Sequence, residues 1–384
     1  MSGLVSIEPV RSRRDWRQFY GLPDQIQADD PCWIKSLHLE RKSLWAKRNP
    51  WFEHARAQAF VARRNGWTVG RISAQVDDLE PRIGGSRVGY FGQFECINDP
   101  SLAVQLLSSA GRWVAARGCR HLRGPYDLGI NQSCGLLVEG HDSPPMLMMG
   151  HAPVYYRDLI EAAGMRPEQD LLAYLLPPDF QAPPAMQRLL QRNRGRIGMR
   201  PLDFSRFQQE IELLRDLFND AWAANWGFVP ATEAEFRYMG REMRKILKPS
   251  YTAIAEIDGK AAGFIVALPN LNELIADLDG RLFPAGWARL LWRLARGRAR
   301  SARVPLMGVR RSYQRGALSA AISFAMIDQV RRALQADGID RVEVSWILES
   351  NRGMNSMIEA MGGQLYKRYR LYGKALDEVH AGQK

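Results

Sequence analysis

The sequence predicts an α/β protein with mixed sheets, in which one fold is written twice. Three matches carry this, and they fall in the same order. Residues 60–72 align with 253–265 at an offset of 193, each reading as two strands around Asn65-Gly66 or Asp258-Gly259. A helix ending at Gly118 and a strand over 121–124 align with a helix ending at Gly338 and a strand over 341–344, an offset of 220. Glu161-Ala162-Ala163-Gly164 aligns with Glu359-Ala360-Met361-Gly362, and Tyr174 with Tyr372, at an offset of 198. One hairpin match alone would be coincidence; three in order mark a duplication. The changing offset places an insertion of the second copy at 270–303 and one of the first copy after Tyr126.

Taken in order, the first copy is expected over 1–176. Prolines at 177, 178, 183 and 184 mark a joint, and a basic helix over 186–196 completes a linker at 177–196. The second copy is expected over 197–384. It opens with a helix over 207–224 that carries Ile211, Leu214, Phe218 and Trp222 at helical spacing, followed by a turn at 225–228. After its hairpin and insertion come an apolar run at 304–309, a basic turn at 310–317 and a helix over 318–337 that Gly338 stops. An alternating strand with Val342, Val344 and Trp346 leads to Glu349, Asn351, a short helix ending at Gly362-Gly363 and a tyrosine-rich last strand.

A chain of 384 residues with 46% hydrophobic content and 11 Trp suits two globular domains. No apolar run approaches the roughly 20 residues that span a bilayer, and residues 1–10 lack the apolar segment of a signal peptide, so a cytoplasmic location is expected. Four cysteines without a C-x-x-C pair, and six histidines without ligand spacing, predict neither a disulfide framework nor a metal. The net charge of +12 calls for an anionic partner. Seven arginines and no acidic residue lie between Arg281 and Arg303.

A strand that runs through a Gly-bearing turn into a helix aims backbone N–H groups and the positive helix end at one point, which suits a pyrophosphate. Val309, Arg310, Arg311, Gln314, Arg315, Gly316, Ala317, Leu318 and Ser319 are the candidate contacts. The stretch from Gln314 to Ala320 resembles the phosphate loop R/Q-x-x-G-x-G/A of the GNAT superfamily of coenzyme-A-dependent N-acyltransferases, with Ala317 and Ser319 where glycines are usual. Asn351, followed by Gly362, fits that superfamily's second signature, N-x-x-A-x-x-x-Y-x-x-x-G, and the resemblance makes it a further candidate coenzyme-A contact. Its thiolate-protonating tyrosine would fall at Ile358, which has no proton to give, so any acid must lie elsewhere. Segments 49–55, 124–140, 219–230 and 345–351 resemble a bacterial tandem-GNAT family, similar to the bacterial ceramide synthases, which N-acylate a sphingoid amine from an acyl thioester. The resemblance covers nearly the whole chain and implies two tandem GNAT-like folds, acyl-CoA as co-substrate and a lipid or other amine as acceptor.

By the 220 offset, the first copy's counterpart of 315–319 is Glu95 to Asp99, followed by Pro100. Asp99 there is a good helix cap, and its carboxylate would repel a pyrophosphate. The first copy is therefore expected to bind no coenzyme A and to serve the acceptor or the structure.

Acyl transfer requires that an ammonium lose a proton and that the thioester carbonyl's developing charge be met. Glu349 is the candidate base, with a helix cap or surface ion pair as the alternative role. An N–H at Val309 or Arg310 is the candidate donor to the carbonyl, and direct attack is expected because every cysteine lies in the first copy. Trp226, Asp127 and Asn131 are candidate acceptor-binding residues; a buried anchor for the first and turn-forming hydrogen bonds for the others are the alternatives. A triad of Ser133, His151 and Asp127 is conceivable, without the G-x-S-x-G elbow that would support it.

Within the insertion, Trp287, Leu290, Leu291 and Leu294 recur at i, i+3, i+4 and i+7, with Arg289, Arg293, Arg296 and Arg300 beside them. This reads as a basic amphipathic helix facing an anionic membrane, which would make the protein peripheral at the inner membrane surface; the alternative is a stripe packed on the domain. No nucleic-acid recognition pattern accompanies the charge, so that partner is not expected. Three functions stay open: a lipid-amine N-acyltransferase, a soluble acyltransferase for a small amine or protein lysine, and a non-enzymatic acyl-CoA-binding or lipid-binding protein.

Overall fold

A computed structural model describes residues 4–82 and 85–376, which cluster into two units. The first runs to Leu171 and resumes at Lys367; the second is Leu172–Tyr366. The first unit contains β1 (Val5–Pro9), α1 (Arg13–Ile26), α2 (His38–Leu44), β2 (Ala55–Arg64), β3 (Trp67–Asp77) and β4 (Arg87–Cys96). It continues with α3 (Pro100–Ala115), β5 (Cys119–Gly124), β6 (Leu136–Glu139), α4 (Tyr156–Ala162) and the first half of β7 (Arg166–Leu176). The second unit takes the rest of β7, then α5 (Pro184–Arg192), β8 (Ile197–Arg200), α6 (Phe207–Trp222), α7 (Glu233–Met243), β9 (Thr252–Ile257) and β10 (Lys260–Pro269). Next come α8 (Leu271–Ile275), α9 (Gly286–Ala295), β11 (Ser301–Val309), α10 (Ala317–Ala336), β12 (Arg341–Leu348) and α11 (Arg352–Ala360). β13 (Gln364–Ala375) passes into the first unit at Lys367.

The duplication is visible in the strand orders. In the first unit β1-β2-β3-β4-β5 are neighbours, antiparallel except for the parallel β4–β5 pair. In the second, β8-β9-β10-β11-β12 repeat that order, again with one parallel pair, β11–β12. Both hairpin turns have two successive residues of positive φ, Asn65 (52°) with Gly66 (81°) and Asp258 (50°) with Gly259 (72°). That is the I′ geometry whose twist matches a two-residue hairpin, and it explains Asn-Gly and Asp-Gly there.

The two units differ from domains continuous in sequence. Residues of β13 from Lys367 onward belong to the first unit because they pair with β5, as in Tyr372↔Gly124, and with β6, as in Tyr369↔Leu137. A repeat pattern shows which strands correspond, not which copy each one pairs with. The stretch expected as a linker is packed instead: Phe180 and Met186 are buried with Leu176, Ile347 and Ile358 in a core of the second unit. The expected outer ends at 1 and 384 lie outside the described residues. Among those described, no helix is long and apolar enough to cross a membrane, and no group of three His, Cys, Asp or Glu is placed to hold a metal.

Candidate active site

β11 and β12 pair from Ser301↔Arg341 to Val304↔Val344 and then part, although β11 runs on to Val309 and β12 to Leu348. Pro305 follows the last paired residue and has no N–H to give a ladder, which ends the pairing there. On its other edge β11 stays with β10 as far as Gly263↔Val309, and Arg310 N–H donates to Ala262 O at 2.8 Å. This corrects one of the two candidate donors, since the Arg310 N–H is spent on β10. Val309, the next residue in the alternation of an antiparallel ladder, turns its N–H away from β10. Gly308 lets α6 lie close on this strand, because a Cβ there would come within 2.5 Å of the Trp222 ring.

Much of the loop after β11 is tied down. Arg310 pairs with Asp216 at 2.5 Å, and Arg311 gives its backbone N–H to Asp220 at 2.7 Å. The Gln314 side chain donates to Val309 O at 2.9 Å and Ala221 O at 3.0 Å. Arg310, the Arg311 backbone and Gln314 thereby hold the loop against α6, while the Arg311 side chain stays more than half exposed. Arg315 is exposed and, among the described residues, has no carboxylate partner. Gly316, at φ 78°, is the cap residue of α10 and offers no side-chain cap, so the first-turn N–H groups and the positive helix end are left for an anion. Ala317 is exposed and Ser319 half-buried, whereas the Leu318 side chain packs on the core, leaving only its backbone available. The loop fits a pyrophosphate held by backbone N–H groups and Arg315.

Glu349 is exposed on the turn that ends β12, and its carbonyl accepts from Asn355 at 3.2 Å. The Asn351 side chain accepts from Met354 N at 3.2 Å, capping α11. Ile358, 1% exposed, belongs to an apolar core, so the position usual for the acid tyrosine is a packing position here. Trp226 is half-buried in the turn after α6. A small apolar cavity of about 40 Å³ includes Val304 and Met307 of β11, Val344 of β12, and Met354 of α11 in its wall.

One buried cluster at this parting was not anticipated. Arg303 and Glu343 are register partners, 3.4 Å apart at their side chains; Arg303 also donates to Ser345 Oγ at 2.8 Å, and Ser345 and Tyr366 hydroxyls donate to Glu343. The signal was present: Glu343 and Ser345 sit at alternate positions of a strand that must be interior, facing an arginine in the strand before it.

The first unit treats the equivalent region differently. Asp99 caps α3, accepting from Leu102 N at 3.1 Å, and pairs with Arg64 at 2.5 Å. The Arg64 hydrogen bond, with help from backbone N–H groups, holds its carboxyl below the usual range. β4 and β5 pair as far as Tyr90↔Arg123; beyond that Tyr126 N–H donates to Phe91 O at 2.9 Å, and a Cβ on Gly92 would lie 1.6 Å from Tyr126 O. The chain itself lies across the gap. Asp127 and Asn131 follow on the same loop. The triad conceivable from Ser133, His151 and Asp127 does not assemble, because His151 contacts Asp30 at 2.8 Å while the Asp127 side chain is bonded to Gln93.

The insertion helix α9 splits its apolar stripe. Leu290 and Leu294 pack on the second unit's core, which corrects their assignment to a membrane face. The outward side chains are Trp287 (48% exposed), Leu291 (57%) and two not anticipated, Phe283 (78%) and Trp292 (45%). Arg289 and Arg293 both pair with Asp277, and Arg298 lies over the Trp292 ring at 4.5 Å.

Two units of this strand order, one with a Gly-bearing loop entering a helix beside parting parallel strands, define a tandem GNAT fold. Solved structures agree on the fold. A tandem GNAT protein from the clavulanic acid biosynthesis pathway matches with a TM-score of 0.57 and 13% identity, over 97% of this chain and 99% of that one. A GCN5-related N-acetyltransferase from Sphaerobacter thermophilus matches with a TM-score of 0.51 and 16% identity, over 97% and 96%. No protein-family model matches the chain. Among curated proteins, "Bacterial ceramide synthase" of Caulobacter vibrioides is 43% identical over 375 residues, 97% of this chain and 98% of that one. "Protein YghO" of Escherichia coli is 43% identical over 381 residues, 98% of each. The chain belongs to the family of these two proteins and is an N-acyltransferase, which sets aside the non-enzymatic reading.

Proposed function

We propose that the protein transfers an acyl group from acyl-CoA to the amine of a lipid, as the name of its relative from Caulobacter vibrioides indicates for that protein. The observation that carries this reading is the parting of β11 and β12 beside the uncapped helix end at Gly316 and the exposed Arg315. The loop and Arg315 hold the pyrophosphate, the thioester lies between the parted strands, and the apolar cavity behind Val304 and Val344 takes the start of the acyl chain. The amine nitrogen attacks the carbonyl carbon directly; the C–S bond breaks, and the departing thiolate takes up the second proton that the nitrogen sheds. Glu349 takes the proton that the ammonium gives up, Val309 N–H meets the charge on the carbonyl oxygen, and Asn351 and Trp226 border the reacting groups.

The lipid acceptor is supported by Phe283, Trp287, Leu291 and Trp292, four outward apolar side chains on a basic insertion. This face rests on anionic membrane surface, with the enzyme peripheral to the bilayer. Incubation with a panel of acyl-CoAs and amines, read by mass, tests the reaction. Product from long-chain amino alcohols in anionic liposomes is expected; product from short soluble amines alone would keep acyl transfer and remove the lipid acceptor. Trp287→Ser with Leu291→Ser should abolish liposome binding with melting unchanged, whereas Leu290→Ser should cost about 1–3 kcal/mol of stability.

A further inference from the structure

An irregularity of β11 shapes the apolar cavity of the second unit. β11 meets β10 as Val266↔Leu306 and Leu268↔Arg303, so three steps along β11 face two along β10. This is a bulge, and Pro305 sits in it, a position that tolerates its missing N–H. The extra residue shifts the alternation of side chains. Val304 and Met307, an odd number of residues apart, consequently both line the cavity of about 40 Å³. Opposite them, Ile327, Arg331 and Leu334 of α10 and Met354, Ile358 and Met361 of α11 face it with the same i, i+4, i+7 spacing. Every wall residue belongs to the second unit.

Both helices start where their strands end, α10 after β11 and α11 after β12, so higher residue numbers lie farther from the Gly316 loop. Ile327 is ten residues past Ala317, roughly 15 Å along the helix axis, and Leu334 lies roughly 10 Å beyond it. At the far end the Phe180 ring lies against the Arg331 guanidinium at 4.9 Å. Asp328 holds that guanidinium at 2.7 Å, and it donates to Pro178 O at 3.4 Å. Apart from Arg331, every wall side chain is hydrocarbon or thioether, and Ile358 adds a hydrocarbon branch where a tyrosine would add a hydroxyl. Such a wall admits a hydrocarbon guest and gives water nothing to bond. At about 10–15 Å³ for each water-sized group, the space takes about three carbons. Met307, Met354 and Met361 are unbranched thioethers that change rotamer readily, which lets the space lengthen toward Phe180.

We propose that this cavity measures the acyl chain of the donor. The chain leaves the thioester, passes Val304 and Val344, and extends between α10 and α11, and the stack of Phe180 on Arg331 is the stop that sets the longest chain. The inference rests on the reading of the parted strands as the seat of the thioester. It names the donor class as a fatty acyl-CoA and sets acetyl-CoA aside, because an acetyl group leaves most of this wall without a partner.

The test uses the full chain and no acceptor. CoA, acetyl-CoA and saturated acyl-CoAs that lengthen two carbons at a time are titrated by calorimetry, below the concentrations at which they form micelles. Affinity should rise roughly 4-fold for each carbon buried and level off at the chain that reaches Phe180. Phe180→Ala should move the level-off to longer chains. Val344→Phe, which fills the near end, should weaken octanoyl-CoA binding roughly 10-fold or more and leave CoA itself unaffected. The wild type gives a second readout that needs no stable variant. With ¹³C-methyl methionine, the signals of Met307, Met354 and Met361, assigned through Met→Leu variants, should shift with octanoyl-CoA and stay in place with CoA. Affinity that ignores chain length, methionine signals that answer CoA and octanoyl-CoA alike, or a level-off that Phe180→Ala leaves in place overturns the proposal. If amines are acylated while affinity ignores chain length, the cavity assignment fails and the transferase reading stands. If affinity follows chain length as expected and no amine is acylated, the transferase reading fails and the cavity assignment stands.

Discussion

The two copies meet the same problem, a gap where a parallel strand pair parts, and answer it in opposite ways. In the first, the chain crosses the gap at Tyr126, and Asp99 puts a carboxylate on the helix end. In the second, the pairing ends at Val304 and the helix begins at Gly316 with no side chain to cap it. Capping and covering satisfy a backbone at home; leaving the groups unsatisfied keeps them for a ligand. A duplicated fold can therefore be read by asking which copy has met its own hydrogen-bonding needs.

The largest expected effect concerns the open copy. Glu349→Gln keeps the shape and removes the base, so turnover at neutral pH should fall by roughly 10²–10⁴ with acyl-CoA affinity nearly unchanged. Unaltered turnover would shift attention to Glu343, Ser345 and Tyr366. Next is the contrast between the two helix ends. Arg315→Glu should weaken acyl-CoA binding about 10-fold or more, and Asp99→Ala should leave it alone while costing about 0.5–2 kcal/mol of stability through the lost cap. If Asp99→Ala changes acyl-CoA affinity and Arg315→Glu does not, the roles of the copies are reversed.

The smallest effect probes the closed copy through pH. Burial, with Glu95 and Glu40 nearby, pushes the Asp127 carboxyl up to about 6 from 3.8. The folded state then holds a proton more tightly than the unfolded chain, so ionised Asp127 opposes folding above about pH 6 and ceases to do so below about pH 4. Asp127→Asn should accordingly stabilise the ligand-free protein at neutral pH by about 1–3 kcal/mol, and this gain should vanish near pH 4. Chemical denaturation at both pH values measures it; a loss of stability at neutral pH would mean that Asp127 is held by contacts stronger than its burial cost.

Local chemistry made much of this legible in the sequence. Asn65-Gly66, Asp258-Gly259, Asp99-Pro100 and the run from Val304 through Gly316 to the helix are set by near neighbours in the chain, and each took the conformation its residues favour. Partnership across strands was not legible. The alternation of Arg71, Ser73, Gln75 and Asp77 is plain in the letters, but alternation alone reads as a solvent face, and only the packing above the sheet makes it interior. Leu290 and Leu291 likewise belong to one stripe by spacing, and the helix's rotation against the core separates them. The Arg310 N–H could not be excluded as a donor until its strand partner, Ala262, was known.

The passage of β13 into the first unit has a consequence for biosynthesis. The copy that is translated first cannot finish its sheet until Tyr372 and its neighbours leave the ribosome, long after the rest of that copy is in solution. Until then β5 presents a bare edge, a place where another nascent chain can add a strand. A premature stop just before Lys367 should therefore damage the N-terminal half of the product more than the C-terminal half.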